Sequence, residues 1–547
     1  MYINRVKIQN FKCFKDAFTL HLEKGLNIIV GDNEAGKSTI LEAIHLTLTG
    51  LSHGKHLKNE LSEYLFNNEA VKDYKDSLAT EKPLPPPEIT IEVFIGGDDL
   101  PLFEGDGNEE GRKECGICLK ISLDDKHKAE YAEYVKEGAF TGIPIEYYDV
   151  NWTTCARESI TPRKIPIKSA WIDSSSNRYS NGSDVYITHI IKNHLDEKQK
   201  HGLSQAHRKL HSSFMADESV TKVNEVIKGI SKKNERDKEV KLSIDLSPKN
   251  AWENTMVTYV ADVPFQYIGK GEQALVKTKL ALEHKKAKEA NIILLEEPEN
   301  HLSHSKLNHL IKDIQEKCLE KQILISTHSS FVANKLGLDK LIFLHNLSIM
   351  RLSDLEDSTR EFFEKIPGYD TLRLILCKKA ILVEGDSDEL VIQKAYLKKY
   401  DGRLPIEDEV DVISVGTSFL RFLEIGTKIK KPIVVVTDND GDVGALKKKY
   451  ENYLGDNAKK EIMICFDEVV DEGELMDGKS TYNYNTLEPK ILKTNNRVTL
   501  NKIFGVKTET DDELRLYMKR NKTDCALKLF KTDDEIVYPK YILNAIG

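Results

Sequence analysis

The sequence predicts an α/β protein built on parallel sheets, and three observations carry that prediction. Short apolar strands alternate with helix-prone segments, the pattern of βαβ units with active groups at the strand C-termini. One such strand, Leu26-Asn27-Ile28-Ile29-Val30, runs into Gly31-Asp32-Asn33-Glu34-Ala35-Gly36-Lys37-Ser38, a complete GxxxxGK[ST] loop. A second set of strands, from about residue 380 onward, ends in acids: Glu384 after one strand, Asp438-Asn439-Asp440 after another.

With 547 residues, two or three domains are expected. Charged residues at 31% and hydrophobic residues at 40% are ordinary for a soluble globular chain. The net charge of −9 excludes a surface uniformly coated in positive charge. It leaves room for a nucleic-acid partner, which needs only a local basic groove. Of eight cysteines only Cys115 and Cys118 form a CxxC, with no second pair at zinc-site spacing, so a turn between two strands with reduced thiols is expected there. The start, Met1-Tyr2-Ile3-Asn4-Arg5-Val6, has no apolar signal core, and no apolar run is long enough to span a bilayer. A cytoplasmic protein without a membrane partner is expected.

The elements follow in order. Tyr2, Ile3, Val6, Ile8 and Phe11 alternate with polar neighbours over residues 2–14, an opening strand. After the glycine loop, Ile40, Leu41, Ile44 and Leu48 share a helical face, and Gly50 is a helix stop. Pro83-Leu84-Pro85-Pro86-Pro87 is a stiff connector into an alternating strand, Ile89-Thr90-Ile91-Glu92-Val93-Phe94. The Ser/Asn-rich stretch 174–183 reads as a loop. Residues 184–233, with apolar positions such as Ile187, Ile190, Ile191 and Leu195, read as a helical insertion too short for a coiled-coil arm. Ile292-Ile293-Leu294-Leu295 ends in Glu296-Glu297-Pro298, and Ile323-Leu324-Ile325 ends in Ser326-Thr327-His328. A second unit opens at Ala380-Ile381-Leu382-Val383 and continues through strands at 410–415 and 432–436. The expected organisation is 1–170 and 251–370 for one α/β domain, 171–250 for the insertion with a dimerisation role, and 371–547 for the second domain.

Strand, glycine loop and helix in succession make a phosphate cradle. Backbone N–H groups close around phosphate, and the helix start favours negative charge. The nucleotide-binding set is Gly31, Asn33, Gly36, Lys37, Ser38 and Thr39. Lys37 is placed to reach the β and γ phosphates and Ser38 to ligate Mg²⁺. Glu297 is placed to orient or deprotonate the attacking water, Glu296 to help hold Mg²⁺, and His328 to contact the γ-phosphate. The segment Ile268-Gly269-Lys270-Gly271-Glu272-Gln273 precedes the acidic strand by one helix. By itself it reads as a glycine turn opening that helix.

The downstream acids suit a different chemistry. Glu384, Asp388, Asp438 and Asp440 are hard oxygen donors at the ends of neighbouring parallel strands, where they can converge on Mg²⁺ or Mn²⁺. Two such ions can activate water and stabilise a leaving oxygen in phosphodiester cleavage. A calcium-loop reading of Asp438-x-Asp440-x-Asp442 fails, because Val443 and Lys449 stand where Gly and Glu are required.

These motifs carry a resemblance. The glycine loop, the segment with Gly269 and Gly271, the acidic strand and His328 are together similar to ABC-type ATPases, although the signature departs from LSGGQ. The opening Ile8-Gln9-Asn10-Phe11-Lys12-Cys13-Phe14 is similar to the first strand of the SMC, Rad50 and RecF branch. That likeness implies two heads facing each other, each signature completing the partner's ATP site. Glu384-Gly385 with the Asp438–Asp440 cluster resembles a Toprim domain. The two joined resemble the OLD ("overcoming lysogenization defect") family of ATP-dependent endonucleases. The resemblance implies a third acidic position at Glu488, with Thr486 where a second carboxylate often stands, and a catalytic lysine at Lys522 before a helix. It implies ATP and Mg²⁺ as cofactors, DNA as substrate, a homodimer or larger even-numbered oligomer, a role in anti-phage defence, and a partner protein or nucleoprotein encoded nearby. A covalent intermediate is not expected, since Tyr482 and Tyr484 lack a nucleophile context. The competing reading is an SMC/Rad50/RecF-like repair clamp with little cutting.

Overall fold

The computed structural model describes the chain apart from residues 33, 53–54, 98–99, 137–141, 174–178, 181–182, 185–194, 232–239, 244–256, 284–288, 301, 318–320, 330–331, 333–337, 346, 366–372 and 376. The chain is mixed α/β. It divides into two compact units: Met1–Asn27 with Ser38–Thr327, and Ile28–Lys37 with His328–Gly547.

The first unit holds an antiparallel sheet in the order Phe18–His21, Tyr2–Gln9, Ile89–Gly96, Glu114–Leu123, with Tyr148–Thr154 and the short Glu104–Gly105 both pairing Glu114–Leu123. The opening strand stops at Gln9, short of residue 14, because Asn10 and Lys12 take left-handed backbone at φ 54° and 49°. In Ile89–Gly96 the alternation does not give one wet face: Thr90 and Glu92 are buried along with the apolar residues. Glu92 is tolerated there because its carboxylate accepts the Glu109 N–H at 2.9 Å. Burial pushes its carboxyl up.

Cys115 and Cys118 lie inside the single strand Glu114–Leu123, not in a turn between two. Three residues apart on a strand, they face opposite sides and share no ligand position. Burial pushes the Cys118 thiol up to about 12.

The same unit carries the parallel strands Ser169–Asp173, Ile292–Glu296 and Gln322–Thr327, side by side in that order. The helix Lys37–Thr49 ends at Gly50, whose φ of 66° only a residue without Cβ adopts freely. Two helices, Glu197–Ala216 and Glu218–Ser231, occupy much of the stretch expected to be helical. The first opens on a capping box: Asp196 accepts the Gln199 N–H at 2.7 Å and its own N–H donates to Gln199 at 2.9 Å. Ile187, Ile190, Ile191 and most of the Ser/Asn-rich stretch lie outside the described residues.

In the second unit, residues 28–31 pair in parallel with Leu341–His345, which turns back antiparallel as Ser348–Arg351. A separate four-stranded sheet is parallel throughout, in the order Val410–Ser414, Lys379–Val383, Ile433–Val436, Ile462–Cys465. Its fourth strand is apolar but only four residues long, and the sequence reading passed over it. The core on one face joins Ile381, Val383 and Val434 to Val391, Leu487, Leu529 and Ile542 from the helices. Each such side chain, fully buried, contributes about 1.5–3 kcal/mol. This packing holds the helices Asp386–Lys399, Leu487–Thr494 and Lys522–Lys531 against the strands that end in acids.

Candidate functional site

Four stretches of chain converge at the C-terminal edge of the four-stranded sheet. Glu384 follows Lys379–Val383, and Asp388 sits in the first turn of Asp386–Lys399, where its carboxylate accepts the Gly385 N–H at 3.0 Å. Asp438 and Asp440 follow Ile433–Val436. Glu488 stands in the first turn of Leu487–Thr494 and is buried on a helix, not solvated in a loop. Lys522 opens Lys522–Lys531, and its Nζ lies 3.1 Å from Glu488 Oε1. Thr486 does not add a carboxylate; its hydroxyl donates to Glu488 Oε2 at 3.1 Å.

The electrostatics bind these groups into one cluster. Burial raises the Asp388 carboxyl to about 6, with Glu488 and Glu384 adding to the rise and the Gly385 N–H and Lys522 opposing it. Asp438 is pushed well above the usual carboxylate range by burial, then by Asp388, Glu488, Glu384 and Asp440. Glu384 is raised by burial and Asp440, against Lys449 and Lys522. For Lys522, burial works to lower the ammonium, but Glu488, Asp438 and Asp388 outweigh it and hold it up. Acids that raise one another in this way sit in a field that favours an added cation. Among the described residues no three His, Cys, Asp or Glu side chains form a closed metal-ligand set as they stand. The donor chemistry, all carboxylate oxygen, suits Mg²⁺ or Mn²⁺.

Residues that the sequence reading did not single out hold this cluster in shape. Asn439, between the two aspartates, is buried and turned inward. It donates to the carbonyls of Asp467 and Val469 at 2.5 and 3.2 Å and accepts the Gly441 N–H at 3.0 Å. Lys490, two residues past Glu488 and 2% exposed, reaches the same loop: it donates to the Val469 carbonyl at 2.8 Å and pairs with Asp467 and Asp471 at 2.8 and 2.7 Å. Loop 467–471 thereby fastens the Asp438–Asp440 turn and the Glu488 helix together. No local pattern marks Asn439 or Lys490, since their roles come from a loop distant in sequence. Asp440 takes left-handed backbone at φ 48° and accepts from Asn483 at 2.9 Å. Tyr482 is buried with its hydroxyl on the Arg515 carbonyl, and the Tyr484 hydroxyl accepts the Leu475 N–H at 3.0 Å, so both are used structurally.

The glycine loop links its strand to the helix that begins at Lys37. Gly36 has φ 98°, and a Cβ on Gly31 would meet the Leu344 carbonyl oxygen at 2.2 Å, so both glycines are sterically required. Lys37 is buried and donates to the carbonyls of Gly31 and Asp32, each at 2.8 Å. Ser38 and Thr39 occupy the first helical turn, and Asn33 lies outside the described residues. Glu296 ends its strand. Glu297, at φ 40°, donates its N–H to the Ser326 carbonyl at 2.9 Å and accepts from Asn300 at 2.9 Å. His328 is exposed just past Gln322–Thr327. Gly269 precedes the helix Lys270–Glu283, which contains Gly271, and the Gly269 carbonyl accepts the N–H of Glu272 and Gln273. The Gln273 amide donates to the Phe265 and Ile268 carbonyls.

Two family models match separate parts of the chain. Residues 1–92 match the AAA ATPase domain family. Residues 375–440 match the Toprim domain of overcoming-lysogenization-defect-like proteins. This order matches an OLD-family ATPase–Toprim fusion. The Toprim match contains Glu384, Asp388, Asp438 and Asp440 and stops short of Glu488 and Lys522.

Among curated proteins, the DNA replication and repair protein RecF of Acetivibrio thermocellus is 44% identical over 61 residues, covering 11% of this chain and 16% of that protein. The structural maintenance of chromosomes protein 3 homolog of Plasmodium falciparum is 27% identical over 137 residues, covering 22% and 11%. The chain thus spans 14–20% of the length of the first RecF relatives it matches. Among solved structures, the SMC head domain from Thermotoga maritima is 15% identical with a TM-score of 0.28, over 62% of this chain and 94% of that one. An Smc head domain derived from Pyrococcus furiosus, bound to the C-terminal domain of ScpA, is 14% identical with a TM-score of 0.34, over 66% and 99%. Among the described residues no helix is long and apolar enough to cross a membrane.

Proposed function

We propose that this chain is a DNA endonuclease whose Toprim centre cuts phosphodiester bonds with bound Mg²⁺ or Mn²⁺, under control of ATP bound at the glycine loop. The observation that carries the reading is the Lys522–Glu488 pair at 3.1 Å within the field of Glu384, Asp388 and Asp438. A lone acidic turn would not gather Asp388, Asp438 and a buried Glu488 around one lysine; a site for cations and a phosphate would. Divalent cations held there would supply an activated water and charge stabilisation on the leaving oxygen. Glu384, Asp388, Asp438, Asp440 and Glu488 would hold the cations, Asp388 also accepting the Gly385 N–H. Lys522 stabilises charge developing on the scissile phosphate. At the glycine loop, Lys37 would contact the β and γ phosphates, Ser38 and Glu296 would help hold the nucleotide's Mg²⁺, and Glu297 would orient the attacking water. Gly269 and Gly271 complete a partner's site in a homodimer or larger even-numbered oligomer. His328, exposed at its strand end, is placed to meet the γ-phosphate. Anti-phage defence, with a partner encoded nearby, is the biological setting that fits an ATP-gated nuclease.

The decisive experiment is cleavage of supercoiled plasmid with Mg²⁺ or Mn²⁺, with and without ATP, for wild type and Asp438→Ala. Metal-dependent nicking or linearisation lost in the variant supports the nuclease. ATP turnover and DNA binding with no cutting under any condition would instead favour the clamp, the reading that the RecF and SMC matches to the head favour on their own.

A further inference from the structure

One buried cluster is used neither by the nucleotide loop nor by the acidic centre, yet it touches the supports of both. Asp32, the second residue of the glycine loop, turns its carboxylate toward His345 and Lys431. Its Oδ2 lies 2.9 Å from His345 Nδ1 and 3.6 Å from Lys431 Nζ. Its Oδ1 is buried without a hydrogen-bond partner among the described residues. Lys431 is wholly buried. Its ammonium donates to the Ile375 carbonyl at 2.8 Å and to the Cys377 carbonyl, and lies 3.3 Å from His345 Nδ1. A buried ammonium is retained only where its donors are engaged and a counter-charge is near. Here the acceptors come from residues just ahead of strand Lys379–Val383 and the counter-charge from the glycine loop.

The position of Lys431 along the chain gives the cluster its reach. It stands two residues before strand Ile433–Val436, which ends in Asp438 and Asp440. The carbonyls it grips precede strand Lys379–Val383, which ends in Glu384. These two strands are hydrogen-bonded neighbours. Lys431 therefore pins the N-terminal ends of the pair whose C-terminal ends carry the acids. At the other side of the contact, Lys37 holds the carbonyl of Asp32 itself at 2.8 Å. A phosphate that drew Lys37 away would release this restraint on Asp32.

We propose that Lys431 is a positioning residue that, through Asp32, couples nucleotide in the glycine loop to the two Toprim strands carrying Glu384, Asp438 and Asp440. The inference rests on the nucleotide-loop reading above. The restraint acts through rigid, paired strands, so a change at one end is delivered as a displacement at the other.

Hydrogen–deuterium exchange of the full chain with and without Mg-ATP tests this, in wild type, Lys431→Met, Asp32→Asn and the double variant. In wild type, ATP is expected to slow exchange in residues 31–38 and also in 379–383 and 433–436. In Lys431→Met the loop response persists while the strand response falls about fivefold or more. Asp32→Asn, which keeps side-chain size and changes the other partner, is expected to lose the strand response as well, and the double variant to lose no more than either single one. A merely structural lysine would alter exchange with and without ATP alike. Strand responses equal to wild type in both single variants, or absent in wild type, overturn the proposal. No ATP effect on residues 31–38 in wild type would sink the nucleotide reading and this inference together. Strand coupling in a protein that never cuts plasmid would sink only the nuclease reading and leave the Lys431 link standing.

Discussion

The glycine loop and the acidic centre handle phosphate in opposite ways. The loop is one contiguous stretch, and most of what it offers is backbone: N–H groups made available by Gly31 and Gly36, with a single lysine. The acidic centre is assembled from four separate stretches between Glu384 and Lys522, and nearly all it offers is side-chain charge. The loop therefore depends mainly on residues within its own short stretch, its glycines and Lys37 first among them. The centre depends on every element that brings its pieces together, including residues with no chemistry of their own.

The largest expected effects fall on the centre. Asp438→Ala or Asp440→Ala should lower plasmid cleavage at least about 10²–10³-fold while ATP affinity stays within error. Loss of ATP binding alongside cleavage would mean that the two regions are not chemically separate. Chelation of divalent metal should reproduce the loss in wild type. Next is Lys522→Ala, expected to cost roughly 10²-fold in cleavage rate at saturating metal, partly restored in Lys522→Arg; an unchanged rate would return Lys522 to a structural pairing with Glu488.

On the loop side, Lys37→Ala should abolish nucleotide binding and leave ATP-independent cleavage in place. Glu297→Gln should keep ATP bound and slow its hydrolysis about 10²-fold or more. Normal turnover would remove Glu297 from the water-orienting role.

The comparison sharpens further at residues that only brace the centre. Asn439→Ala should weaken metal affinity roughly 10–100-fold, as outer supports of ligands do, with Asp438 and Asp440 untouched. Metal titration of cleavage reads this directly. Smallest is Asp471→Asn. Burial works to raise the Asp471 carboxyl, but hydrogen bonds from Lys490 and Lys493 outweigh it and hold it below the usual range. A lowered native carboxyl contributes stability above its unfolded pKa and loses it as pH falls through the native one. The variant should cost roughly 1–2 kcal/mol near neutrality, discounted for partial exposure, and the gap should close in acid. Denaturant melts at pH 7 and pH 3 check both the size and the sign.

The phosphate loop, the strand-end acids and the βαβ order of both domains were legible because each is a local pattern. A glycine loop is read within eight residues, and an apolar strand ending in Glu384 is read within six. The same locality explains the misreadings. Cys115 and Cys118 resemble a turn until the pairing of Glu114–Leu123 places both in one strand. Glu92, a charged residue in an alternating strand, is buried because the Glu109 N–H meets its carboxylate. Ile462–Cys465 is too short to announce itself and is a strand because Ile433–Val436 offers it an edge.

By itself, then, the sequence determined which chemistries are present: a backbone cradle for phosphate and a set of carboxylates with one lysine. Tertiary structure decided which of those carboxylates share a field and which loop braces them. It also decided that Lys431 ends its side chain beside Asp32, some 400 residues earlier in the chain. Local propensity acts over a few residues, whereas burial and charge act through space. A buried lysine with its partner that far away in sequence leaves no mark until the chain has folded.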